Sequence, residues 1–225
     1  MISYKHKFIF IQIPKTGCTS AEIKLTKFGE KTTPHICSLA SPVTCPKVRH
    51  DLVYKHANVS DLKKHTSSKF FEDCFKFTFV RNPYSWLVSN YFFWCRGIHG
   101  CYLKHLNQEN QQYFSLHRVV KDFNLDSMSF KDWVKWYTAN VCGTQLEMIV
   151  DKQNKMNLEF IGKLENFQED FDIVCDKIGI PRQELPHENK TDHKHYTEYY
   201  DDETRDIVAK KYAKDIDYFE YQFGE

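Results

Sequence analysis

The sequence predicts an α/β protein, a single domain over residues 1–225 built on a mainly parallel central sheet flanked by helices. Three observations carry this expectation. Apolar, β-branched runs of strand length alternate with segments of helical period. The first two of those runs each break, at the carboxyl end, into a polar turn and a helix start, as parallel βα units do. No internal repeat and no linker divides the chain, whose 225 residues are ample for one substantial core.

The elements follow in order. The run FIFIQI, Phe8 to Ile13, is a buried strand that stops at Pro14. Lys15, Thr16, Gly17, Cys18, Thr19 and Ser20 form the turn, and Ala21 to Phe28 reads as a helix ended by Gly29. Pro34, Pro42 and Pro46 make 30–50 a loop. Arg49 to Ala57 holds a short strand leading to His56, after which Ser60 caps a short polar helix. A second strand, Phe75 to Val80, runs into Arg81, with Asn82 as N-cap and Pro83 at the first helical position. Trp86, Leu87, Asn90, Tyr91 and Trp94 give that helix a wide apolar stripe. The polar stretch 96–128 reads as a loop-rich insertion with one helix near Gln111 to Val120. Ser129 caps a clearer helix through Phe130, Trp133, Val134 and Tyr137, and Glu159 to Lys163 is a third strand. Asn166 with Glu169 makes a capping-box-like start to a helix carrying Phe167, Phe171, Val174, Cys175 and Ile178, which Gly179 and Pro181 stop. A basic, histidine-rich loop from His187 to Tyr200 precedes a last helix from about Asp202.

Composition narrows the partners. A net charge of +1 supplies no field for nucleic acid or an anionic membrane, so neither is an expected partner, and no stable membrane insertion is expected. The first strand begins so near Met1 that no signal peptide or anchor is expected ahead of it. The eight cysteines show no CxxC pair, which argues against zinc and a disulfide framework and for reduced, buried thiols of a cytoplasmic protein. Aromatic residues reach 16%, which a sugar- or nucleotide-binding surface explains as well as an aromatic core does.

Two strand ends carry the chemistry. In the first, the amide groups of a helix N-terminus, the positive end of its dipole and the cation of Lys15 converge on a turn where Gly17 permits close approach of an anion. The order of lysine and glycine is not that of a Walker A loop, and an ordinary strand-to-helix turn with a surface lysine is the competing reading. In the second, Arg81 stands at the carboxyl end of a strand, where open α/β sheets place ligands, and its guanidinium matches two phosphate oxygens. Ser89 lies about two turns into the following helix, counting 3.6 residues per turn, and can donate to the same group. A structural ion pair for Arg81 and a packing role for Ser89 are the alternatives.

The segments IPKTGCTS, KHANVSDLK and FKFTFVRNPYSWLVSNY resemble the carbohydrate sulfotransferases, above all the chondroitin and HNK-1-type enzymes and their bacterial relatives, and more distantly heparan sulfate 2-O-sulfotransferase. The tail, FIGKLENFQEDFDIVCDKIGIP onward, is similar to the same group. The likeness covers 8–94 and 145–223; residues 96–140 match nothing in the group. Lys163 stands where the family more often has arginine, which keeps the charge but loses the fork, so no binding role is assigned to it.

The resemblance implies one sulfotransferase domain with a P-loop-like fold and 3′-phosphoadenosine 5′-phosphosulfate (PAPS) as donor, leaving adenosine 3′,5′-bisphosphate. Residues 15–20 would hold the 5′-phosphosulfate, Arg81 and Ser89 the 3′-phosphate, and Lys190, His193 and Lys194 would close over the nucleotide. The acceptor would be a hydroxyl of a glycan or glycolipid, with transfer by in-line displacement. Lys15 would stabilise the leaving phosphate, and His56 would take the hydroxyl proton, the imidazole being tuned for base work near neutrality. Val53, Tyr54 and Ala57 suggest a partly buried His56; His50 is its nearest rival but lacks the motif. No metal is expected, because Lys15 and backbone amides meet the leaving-group charge. Two other readings stand beside this one. A P-loop phosphoryl-transfer enzyme would want a Walker lysine and a magnesium-holding acid after a strand. A non-catalytic nucleotide- or glycan-binding protein of the same fold would have no need of Lys15 and His56 together.

Overall fold

In a computed structural model, residues 1–29, 56–97, 127–141, 143–186 and 194–225 are described. The expected loop over 30–50, the strand residues before His56 and the helix near 111–120 lie outside them. The fold is α/β, and among the described residues it holds a four-stranded, mostly parallel sheet flanked by helices. Its described residues fall into two compact units.

The first unit takes in residues 1–29, 56–81 and 143–186 and holds the sheet, in the order β1-β2-β3-β4. β2 (Phe8–Ile11) and β3 (Phe75–Val80) are parallel, with Phe8 opposite Phe75 and Ile11 opposite Thr78. β3 and β4 (Phe160–Lys163) are also parallel, ending with Val80 opposite Lys163. The carboxyl ends of these strands therefore share one edge of the sheet. The sequence pattern did not reveal β1 (Ile2–Ser3), a two-residue antiparallel neighbour of β2.

One face of the sheet is phenylalanine. Phe8, Phe10, Phe77 and Phe79 pack with Cys18, Ala21 and Leu25 of α1 (Cys18–Leu25). Phe171, Val174, Cys175 and Ile178 of α7 (Phe167–Ile178) complete the same core. Phe10 and Phe77 stack with centroids 4.9 Å apart. Each such ring, fully buried, contributes about 1.5–3 kcal/mol. α7 lies close enough to β4 that a Cβ on Gly162 would stand 3.0 Å from the Cβ of Asp170.

Shorter helices complete this unit: α2 (Val59–Lys64), α3 (Ser68–Asp73) and α6 (Gln145–Ile149). Two capping expectations are corrected. Asn58, not Ser60, caps α2, its side chain accepting from the Asp61 amide at 2.9 Å. Asn166 forms no capping box with Glu169. It closes a 3₁₀ turn (Leu164–Asn166), which carries the chain into α7 without an extended N-cap and with no side-chain bond there.

The second unit contains residues 82–97, 127–141 and 194–225 and is helical. Asn82 caps α4 (Pro83–Tyr91) by accepting from the Tyr84 amide at 3.1 Å, and Pro83 opens the helix as expected. A π-helical turn, Phe92–Gly97, continues α4. Ser129 caps α5 (Phe130–Asn140), and Asp201 caps α8 (Asp202–Lys211), which α9 (Ala213–Tyr218) follows. Tyr84, Trp86, Tyr91, Phe130, Trp133 and Tyr137 are buried in this unit's core with Val208 and Tyr212. Trp133 and Tyr137 stack at 4.5 Å. These aromatic residues of α4 and α5 are thus core.

Candidate functional site

The site grows from the carboxyl edge of the sheet in the first unit. β2 ends at Ile11, two residues short of the predicted Ile13, and α1 begins at Cys18, three residues ahead of the predicted Ala21. The cause is local. Lys15 and Gly17 both take left-handed backbone conformations, φ 65° and 77°, which turn the chain sharply enough to start the helix inside the motif. Cys18, Thr19 and Ser20 thereby form the first helical turn, where backbone amides face outward along the axis and the dipole is positive. No side chain caps this end, since the N-cap is Gly17. A Cβ at position 17 would stand only 2.7 Å from the Phe167 ring, so α7 presses the loop into shape from below.

The hydroxyls of the motif divide. Thr16 is buried and donates its hydroxyl to the Ile13 carbonyl at 2.9 Å, so it braces the loop and offers an anion only its backbone amide. Thr19 is half-buried and Ser20 buried, both in the first turn of α1.

Lys15 and Arg81 come together. Nη1 of Arg81 donates to the Lys15 carbonyl at 3.4 Å. Burial, and next the positive charge of Arg81, lower the pKa of the Lys15 amine below the usual lysine range, against a smaller opposing effect from Cys18. The two cationic side chains at one strand edge raise the local positive potential, which an anion would offset.

His56 reaches the same edge. Its Nδ1 lies 2.6 Å from the carbonyl oxygen of Gln12. A carbonyl only accepts, so Nδ1 donates, and the neutral ring then carries its acceptor lone pair on Nε2. His56 is half-buried, as the flanking sequence suggests.

Two glutamines went unread in the sequence. Gln145, fully buried, grips the Arg81 peptide on both sides: its Oε1 accepts from the Arg81 amide at 2.8 Å, and its Nε2 donates to the Arg81 carbonyl at 2.7 Å. Gln12 is 1% exposed, and neither of its amide atoms has a hydrogen-bond partner among the described residues. A buried amide left so costs about 1–3 kcal/mol until a polar group meets it. The signal for Gln12 was present as the one polar residue in FIFIQI; Gln145 gave none.

Of the other predicted binding residues, Ser89 and Lys194 belong to the second unit. Ser89 is buried in α4, and Lys194 is exposed, 3.4 Å from Glu198. Lys190, His193 and the rival base His50 lie outside the described residues.

A family model described as the sulfotransferase family matches residues 1–222, and the chain belongs to that family. The protein is accordingly a transferase of sulfuryl groups. No match was found among curated proteins. No helix among the described residues is long and apolar enough to cross a membrane.

Proposed function

We propose that the chain acts as one PAPS-dependent domain that moves a sulfuryl group to a hydroxyl of a carbohydrate, in a glycan or glycolipid. The observation that carries this reading is the pairing of Lys15 with Arg81, 3.4 Å from side chain to carbonyl, beside an α1 N-terminus that no side chain caps. A donor with a phosphate at each end suits such a pair. The α1 amides and Lys15 meet the 5′-phosphosulfate, and Arg81 meets the 3′-phosphate. PAPS, when bound, supplies a sulfuryl group on a stable phosphate leaving group. The carbohydrate class rests on the resemblance carried by KHANVSDLK and the two strand-end motifs, and Ser89, Lys190, His193 and Lys194 enter on the same ground. A cytoplasmic location is supported by the thiols, four of which, Cys18, Cys74, Cys95 and Cys175, are buried and outside any disulfide.

Each residue then has one task. Nε2 of His56 takes the proton of the acceptor hydroxyl as the oxygen closes on sulfur. As the new O–S bond forms, the bond from sulfur to the 5′-phosphate breaks, and the phosphate oxygen keeps the electron pair. Lys15 and the amides of residues 18–20 meet that growing charge in a preorganised arrangement, worth about 2.7–4 kcal/mol for a single well-placed donor. The Gln12 carbonyl holds His56 in the tautomer that leaves Nε2 basic.

The test begins with PAPS and a panel of glycans, lipids and phenols, read by mass spectrometry for the sulfate adduct; sulfation of a phenol and of no glycan would refute the carbohydrate assignment. With the acceptor in hand, His56→Ala is expected to lower turnover about 10²–10⁴-fold. Calorimetry should show its affinity for adenosine 3′,5′-bisphosphate little changed. Near-normal turnover would remove His56 from the mechanism.

A further inference from the structure

Arg81 stands one residue beyond β3, whose ladder with β4 ends at Val80 opposite Lys163. At that point Gln145 takes over the ladder's role. Its carboxamide has the same donor and acceptor as a peptide group, and it pairs with both the amide and the carbonyl of Arg81, at 2.8 and 2.7 Å. One side chain thus extends the sheet edge by a residue. Gln145 is itself anchored. It is the first residue of α6, which a reciprocal capping box of Thr144 and Glu147 starts and the fully buried Ile149 pins.

We infer that Gln145 is the positioning residue for Arg81, and that through Arg81 it sets the protein's preference for nucleotides bearing a 3′-phosphate. The chain of contacts is short. Gln145 fixes both peptide groups flanking the Arg81 Cα, which sets the direction in which the side chain leaves the strand. The guanidinium then reaches the Lys15 carbonyl at 3.4 Å. That carbonyl is itself aimed by the left-handed turn at Lys15. A fork that must meet two phosphate oxygens tolerates little angular error, because both bonds are lost when its plane rotates. Placement of the fork by a buried, two-bond clamp avoids a cost of ordering that a loop-borne arginine would meet on binding. Gln145 touches no donor atom in this scheme; it acts through Arg81.

The inference rests on Arg81 holding the 3′-phosphate, so the experiment separates the two. Wild type, Arg81→Ala and Gln145→Met are titrated by calorimetry with adenosine 3′,5′-bisphosphate and with adenosine 5′-phosphate. Methionine keeps the length and bulk of glutamine and removes both bonds. Gln145→Met is expected to weaken the bisphosphate about tenfold, the scale of one lost buried polar interaction. The 5′-phosphate, which makes no use of Arg81, should shift less than twofold on the scale where tenfold is 1.4 kcal/mol. An equal loss for both ligands would reduce Gln145 to a structural residue and overturn the inference, as would no loss for the bisphosphate. If Arg81→Ala leaves the ratio of the two affinities unchanged, the 3′-phosphate reading fails and this inference falls with it. If Arg81→Ala collapses the ratio and Gln145→Met does not, the positioning role alone is refuted. Should Gln145→Met melt below the assay temperature, Gln145→Glu takes its place: its carboxylate still accepts from the Arg81 amide but cannot donate to the carbonyl, and the same loss of ratio is expected.

Discussion

Two lysines at the two ends of the same sheet show how differently a cation at a strand end can be treated. Lys76, near the start of β3, is 3% exposed and ringed by oxygen. Its Nζ donates to the carbonyls of Phe71 and Cys74 at 2.8 and 2.7 Å and lies 2.9 Å from Glu159. Lys15, beyond the far end of β2, has a like charge for a neighbour: burial and then Arg81 lower its pKa. The first lysine is a structural rivet whose compensation is built into the fold. The second has its pKa lowered by burial and by a neighbouring cation, and under the proposed function a phosphate group at Lys15 would offset that effect.

The contrast is sharpest in paired substitutions. Lys15→Ala is expected to cut turnover about 10²–10³-fold, as loss of one preorganised donor does, yet to leave the thermal midpoint little changed, because the bond of Arg81 to the backbone carbonyl at position 15 survives the substitution. A clear drop in Tm for Lys15→Ala would break the comparison. Lys76→Met should do the reverse. Stranding the Phe71 and Cys74 carbonyls costs about 1–3 kcal/mol of stability, read as a lower Tm, while calorimetry gives an unchanged Kd for the bisphosphate.

The smallest effect is in pH. Lys15 holds its proton less tightly in the folded chain than in the unfolded one, so between its lowered pKa and the ordinary 10.5 the unfolded state binds more protons. Stability of the ligand-free protein should therefore rise with pH across that window, the destabilisation being fully present below the lowered pKa and gone above 10.5. Affinity for the bisphosphate should fall over the same range, because the anion needs the charged amine. Thermal melts and titrations stepped from neutral to alkaline pH check both slopes. Lys15→Met should flatten both, and an unflattened slope would assign the titration to another group.

The sequence was most legible where one segment contains its own reason for folding. The alternation in Phe75–Val80, Asn82 followed by Pro83, and Ser129 ahead of an apolar stripe each specify an element locally, and each stands where it was read. Reading failed where the reason lies elsewhere. β1 is two residues long and exists only because β2 offers it an edge, with Ile2 opposite Ile9. α3 and α6, six and five residues, are too short for a period to show. Asn166 has the right composition for a capping box, but the 3₁₀ turn before it removes the extended backbone a cap requires. The site divides in the same way. Lys15, Gly17, Arg81 and His56 announce themselves by motif. The bonds of Gln145 to a peptide 64 residues away cannot appear in any local pattern. Nor does the string IPKTGCTS reveal that its lysine takes the left-handed turn, or that its helix opens at the cysteine.

The contact between Gly17 and Phe167 has a historical consequence. The ring occupies the space that any side chain at position 17 would need, and the left-handed backbone there penalises one further. Change at these places is therefore ordered. A lineage that first sheds both the ring and Leu164, whose Cδ1 would stand 2.8 Å from the same Cβ, relieves the crowding, whereas one that acquires alanine first must displace both. The permitted route runs through Leu164 and Phe167 before it reaches the loop itself, so the fate of a turn near the amino terminus is decided by residues far along the chain.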